Sequence, residues 1–129
     1  MPLRCVVVTP ERALLDAQVD FVALPMYDGE LGVLPGRASL IGRLGPGELR
    51  TRHGAETKRF FVDGGFAQIH NNVVTVLTPR GLKAEEINLS AVEQALNAAK
   101  ELRGGTEERM KAEARARAQL RLVRQSAEH

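Results

Sequence analysis

A chain of 129 residues, 26% charged and 43% hydrophobic, reads as soluble and globular: one domain, or one small domain with an appendage. Its single cysteine, Cys5, excludes an internal disulfide and a thiolate metal site, and His53, His70 and His129 share no ligand spacing, so no metal is expected. Net charge is only +2, no apolar run approaches ~20 residues, and the start lacks an apolar h-region; neither a membrane span nor a signal peptide is expected, and a reducing cytosol suits the lone thiol.

Residues 1–84 read as strands. "LRCVVV" (3–8), "ALLDAQVDFVALP" (13–25), "KRFFVDGG" (58–65), "FAQIH" (66–70) and "NVVTVLT" (72–78) are short and rich in β-branched or aromatic residues. Turn signals stand between them at Pro10, Asp28-Gly29, Pro35-Gly36, Pro46-Gly47, His53-Gly54, Gly64-Gly65 and Asn71-Asn72. This spacing predicts an antiparallel β-sandwich, with "QIHNNVVTV" a hairpin closed by asparagines that tolerate the left-handed region. Gly42, Gly45, Gly64 and Gly65 read as glycines that close hairpins.

Residues 85–129 read as two helices. Ser90-x-x-Glu93 has the form of a capping box, followed by Val92, Ala95, Leu96, Ala99 and Leu102 at helical spacing. Gly104-Gly105 stops the first helix, and Thr106 with Glu107 and Glu108 opens the second, whose stripe is Ala112, Ala116, Leu120 and Val123. The expected fold is therefore β + α: a sandwich over 1–84 and an antiparallel helical hairpin over 85–129. Alanine-rich stripes bury little area, so at ~25 cal/mol/Å² the hairpin should be held only weakly.

Charge is uneven. Residues 1–84 carry ten Lys/Arg and eight Asp/Glu; from Ala114 to Arg124 there are Arg115, Arg117, Arg121 and Arg124 and no acid. No nucleic-acid partner is expected, because residues 85–129 contain no Phe, Tyr or Trp to stack on bases. No phosphate-binding glycine loop and no nucleophile–base pair is present, so no catalytic site is expected. Ser90 is read as a cap.

The segment "DGELGVLPGRASLIGRLGPGELR" (28–50) holds six glycines and two prolines around Leu31, Val33, Leu34, Leu40, Ile41, Leu44 and Leu49, which read as buried. Gly29-Glu30-Leu31-Gly32-Val33, Pro35-Gly36, Ala38 and Pro46-Gly47 resemble the signature of the ε subunit of the bacterial rotary F-type ATP synthase. Arg37 stands where that signature has His, and Ser39 where it has Pro. "FFVDGGFAQIHNNVVTVLTP" is similar to the family's strand–Gly-Gly–strand–turn–strand block, and the order of sandwich and hairpin agrees.

The resemblance implies a non-catalytic central-stalk (rotor) subunit on the cytoplasmic face of the inner membrane, peripheral and membrane-associated only through its complex. It implies binding to the γ subunit and the c-ring, and coupling of ion flow to ATP synthesis. Gly29, Glu30, Leu31, Gly32, Val33, Pro35, Gly36 and Arg37 are the implied rotor contacts, forming a rigid contoured loop. The hairpin would lie folded on the sandwich, or extend along γ and inhibit hydrolysis. Arg115, Arg117, Arg121 and Arg124 are then candidate transient contacts to an acidic loop of the catalytic β subunit; as bland alternatives they are solvated helix-end cations. Some relatives bind regulatory ATP through Ile/Leu-Asp-x-x-Arg-Ala. Ile87 fits that motif, but Asn88, Ala91 and Val92 replace its Asp, Arg and Ala, so tight ATP binding and other cofactors are not expected. The competing reading of the residues is a β-sandwich adaptor whose basic hairpin binds an acidic protein.

Overall fold

The computed structural model of the chain describes residues 2–100 and 106–127. Eight strands come first: β1 (Leu3–Val8), β2 (Ala13–Val19), β3 (Phe21–Met26), β4 (Gly29–Val33), β5 (Leu40–His53), β6 (Glu56–His70), β7 (Val73–Leu77) and β8 (Gly81–Lys83). A 3-10 turn (Ala84–Glu86) leads to helices α1 (Leu89–Lys100) and α2 (Thr106–Ala127). The strands form one hydrogen-bonded sheet in the order β2-β1-β7-β6-β5-β3-β4, with β8 on β6; β1 and β7 are parallel and the other pairs antiparallel.

That one sheet becomes a sandwich by folding at its two longest strands. In the first half of β6, Phe60 and Val62 point into the core; in the second half, Ala67 and Ile69 do. The inward positions change from even to odd, which a flat strand of period two cannot do. The change falls at Gly64 and Gly65, whose φ values of +79° and +102° lie in the left-handed region. The ladder with β5 continues on both sides of them, from Leu44↔Gly65 to Pro46↔Asp63, so they bend the strand without ending it. Val7, Leu24, Val33, Leu49, Val62, Ile69 and Val76, from six of the strands, fill the enclosed core.

Several expectations are corrected here. Gly64-Gly65 and Pro46-Gly47 close no hairpin; they lie inside β6 and β5, as do Gly42 and Gly45 inside β5. Residues 58–65 and 66–70 are one strand. Residues 13–25 are two strands, because the chain leaves one layer at Asp20, whose Oδ2 accepts the Gly54 N–H at 2.7 Å and whose own N–H donates to the Arg52 carbonyl at 2.7 Å. Asn71 and Asn72 do close the β6–β7 hairpin, with φ of +49° and +62°.

The first helix is capped by Asn88, not by a box from Ser90: the Asn88 Oδ1 accepts the Ala91 N–H at 3.1 Å. On α1, Val92 and Ala99 are buried and Ala95 is exposed. α1 packs on α2, and α2 in turn on β5, β6 and the 3-10 turn. On α2 the expected stripe omits its most buried side chain, Leu122, which joins Ala118 against Phe61, Ala84 and Ile87 of the sandwich side. Leu102 and Gly104-Gly105 lie outside the described residues.

Candidate functional site

The segment 28–50 is not a rigid loop. It is the edge strand β4, a six-residue connection (34–39), and most of β5. Among the described residues β4 pairs with β3 alone, in register Val22↔Val33 to Met26↔Gly29. Gly29 and Glu30 at its start are exposed, Leu31 is half-buried, Gly32 is exposed beside the Phe21 ring, and Val33 is fully buried in the core. Of the eight predicted contact residues, Val33 thus serves packing rather than the surface. Pro35, Gly36 and Arg37 are exposed on the connection. Gly36, at φ +86°, donates its N–H to Asn72 Oδ1 at 2.7 Å, tying the connection to the β6–β7 turn. Ser39 Oγ lies 3.2 Å from His70 Nδ1 at the same place.

Leu34 and Ile41, read as buried, are 59% and 71% exposed. Leu40 packs against the core, and its neighbour in an alternating strand must face outward. Ile41 belongs to an outward surface that the sequence reading missed. Arg43, Phe66 and Leu77 stand directly opposite one another on β5, β6 and β7. Arg43 also lies over the Tyr27 ring, 5.0 Å from its centroid. Tyr27, Phe66 and Leu77 are all more than half exposed, so a row of exposed apolar side chains interrupted by Arg43 crosses the sheet from the β3–β4 turn. No local pattern marks this row, since it exists only once the register is set.

On the hairpin, Arg115 is not free for an outside partner. Its Nε lies 2.7 Å from Asp63 Oδ2 and is buried, yet its N–H is not aimed at the oxygen, so the contact is an ion pair without hydrogen-bond geometry. Arg117 meets Glu113 one turn earlier at 3.7 Å, and Arg121 is exposed at the mouth of a cleft shared with Glu30, Glu48 and Arg50. The Arg124 side chain lies outside the described residues. The degenerate ATP positions have structural uses: Asn88 caps α1, Val92 is buried, Ile87 packs on the Phe61 cluster, and Ala91 is exposed. The described residues hold no group of three or more His, Cys, Asp or Glu placed to bind a metal ion, and no described helix is long and apolar enough to cross a membrane.

Fold and surface define a β-sandwich with an appended helical hairpin and an exposed apolar row. Comparison with known proteins supplies the particular family. Residues 2–84 match the family model described as ATP synthase, Delta/Epsilon chain, beta-sandwich domain. The ATP synthase epsilon chain of Rhodopirellula baltica is 49% identical over 128 residues, covering 96% of this chain and all of that one. That of Nitratidesulfovibrio vulgaris (strain Miyazaki F) is 40% identical over 89 residues, covering 69% and 66%. Among solved structures, a chain of the Euglena gracilis mitochondrial ATP synthase assembly with its c-ring superimposes with a TM-score of 0.78 at 22% identity, over 99% of this chain and 82% of that one. A chain of the Tetrahymena thermophila central stalk and c-ring gives 0.68 at 16% identity, over 98% and 96%. The chain belongs to the ATP synthase delta/epsilon chain family.

Proposed function

We propose that this chain is a non-catalytic central-stalk subunit of an F-type ATP synthase. It docks on the γ subunit and the c-ring, turns with them, and couples ion flow to ATP synthesis. It works at the cytoplasmic face of the inner membrane, held there by the complex. The observation that carries this reading is the set of exposed apolar side chains around Arg43, namely Tyr27, Ile41, Phe66 and Leu77. Large apolar side chains gathered in the open on a sheet face mark a protein contact. Gly29, Glu30, Leu31, Gly32, Pro35, Gly36 and Arg37 complete the contact along β4 and its connection. Family membership and the full-length match to an epsilon chain support the same reading.

The hairpin is the regulatory part. Once off the sandwich, it presents Arg115, Arg117, Arg121 and Arg124 to an acidic loop of the catalytic β subunit and slows hydrolysis. Regulatory ATP does not bind tightly, because Asn88 and Ala91 lack the charges of the motif. The test is purification of the tagged full chain from its own cells. Co-purification of γ, the c-ring and the catalytic subunits is expected. Capture of an acidic protein without any of them would replace this reading with the adaptor.

A further inference from the structure

Asp63 sits at the bend of β6, immediately before Gly64, with its N–H donated to the Arg80 carbonyl at 3.0 Å. Its side chain is only 16% exposed in the docked state, and that of Arg115 38%. Arg115, Ala118 and Leu122 follow at three- and four-residue steps, so one face of α2 carries both the cation and the apolar contacts to Phe61 and Ala84. The apolar part is small: Ala118 and Leu122 of the helix against Phe61 and Ala84, with Ile87 at the edge. The sandwich side of the linker is pinned separately. Arg12 Nη2 donates to both Glu86 oxygens, at 2.6 and 2.8 Å, and Glu86 Oε1 also accepts the Lys83 N–H at 2.9 Å.

We propose that Asp63 is the latch of the hairpin, holding it on the sandwich by pairing with Arg115, and that Ile87-Asn88 is the hinge. The latch belongs to the free chain; its effect on hydrolysis rests on the brake reading given above. Neutralising Asp63 leaves the Arg115 guanidinium half-covered with no counter-charge, a cost borne only by the docked state, since undocking returns both groups to water. The population then shifts toward the undocked form. Arg115 serves both states in turn: it must leave Asp63 before it can meet an acidic partner. Arg117 and Arg121 are already exposed while the hairpin is docked, so among the described side chains of the run Arg115 is the cation whose release marks opening.

The test is amide hydrogen exchange on the full chain in low salt for four proteins: unmodified, Asp63→Asn, Arg115→Gln and the double variant. Each single change should speed exchange across α2 about tenfold, in the range for loss of a partly covered charged contact. The double variant should speed it no more than the singles, because a pair can be broken only once and no uncompensated charge then remains. Exchange in β1 and β7 should not move. Additive effects, α2 exchange within twofold of the unmodified chain, or faster exchange throughout the sandwich would each overturn the latch. Hydrolysis by the assembled complex reads the brake separately. Faster α2 exchange with unchanged hydrolysis would uphold the latch and refute the brake.

Discussion

Glu30 reaches over β3 to Arg50, their charged atoms 3.3 Å apart. Arg50 also meets Glu48 at 3.4 Å, and Glu48 meets Arg59 at 2.6 Å, so the exposed carboxylate of the edge strand ends a line of alternating charge leading inward. Glu30 is 58% exposed, whereas Glu48 is 17% exposed. Glu30→Gln should therefore cost less than about 1 kcal/mol and move the melting temperature by less than about 5 °C. In the assembled complex it should still reduce coupling of hydrolysis to ion pumping. Unchanged coupling would remove Glu30 from the rotor contact. Arg50→Ala, which strips the more buried Glu48 of one partner, should be the more destabilising of the two.

The bend of β6 gives a second prediction. A Cβ on Gly65 would run into the Leu77 carbonyl and the Thr78 Cα, and its φ is +102°. A Cβ on Gly64 would meet only the Leu44 carbonyl oxygen, at 3.7 Å. Gly64→Ala should cost about 1 kcal/mol from backbone strain, and Gly65→Ala about 3 kcal/mol or more from strain with a backbone clash. Urea unfolding of both variants checks the order; equal losses would mean that the bend does not depend on the space at Gly65.

Cys5 makes stability depend on alkaline pH. It is fully buried between β2 and β7, and burial alone pushes its thiol up to about 12. In the unfolded chain it ionises at about 8.5, so above that pH the unfolded state binds fewer protons and stability falls as pH rises. The loss from this residue is about 1.4 kcal/mol per pH unit until the folded thiol itself ionises. Cys5→Val should lose less stability than the unmodified chain between pH 8 and pH 10, measured by urea unfolding. The same slope in both would place the alkaline loss elsewhere. Thiol alkylation of the native chain at pH 8 should likewise proceed only through unfolding.

Leu122 and Leu120 stand on different faces of α2. Leu122 is 1% exposed against Phe61, while Leu120 is half-buried and outside that cluster. Leu122→Ala should speed α2 exchange several-fold more than Leu120→Ala, with the sandwich strands unaffected in both. A larger effect at Leu120 would mean that the Phe61 contact does not govern docking.

Much of this fold is legible in residue order. Asn71-Asn72 has a local conformational cause, and β1 and β7 are short β-branched runs. What could not be read depends on which strands lie opposite. Apolar residues continue through Asp20, so nothing local shows that the chain changes layers there. A Gly-Gly pair encodes positive φ but not whether the ladder goes on past it, hence the false turn at Gly64-Gly65. Ile41 read as core because its outward direction follows from Leu40 facing inward. The glycine segment of the site is legible through its motif. Tyr27, Phe66 and Leu77 come together only through register, and Asp63 meets Arg115 across two halves with no shared pattern.

β1 lies between β2 and β7, and its partner β7 is the seventh strand of the chain. β1 is therefore an inner strand whose parallel neighbour is synthesised some seventy residues later. A β1–β2 hairpin can form early, but the other edge of β1 stays unpaired until β7 has emerged. Closure of that long loop makes the final pairing slow compared with a local hairpin. During synthesis this nascent chain carries an open, apolar strand edge, which ties its yield in the cell to the chaperones it meets before residue 77 leaves the exit tunnel.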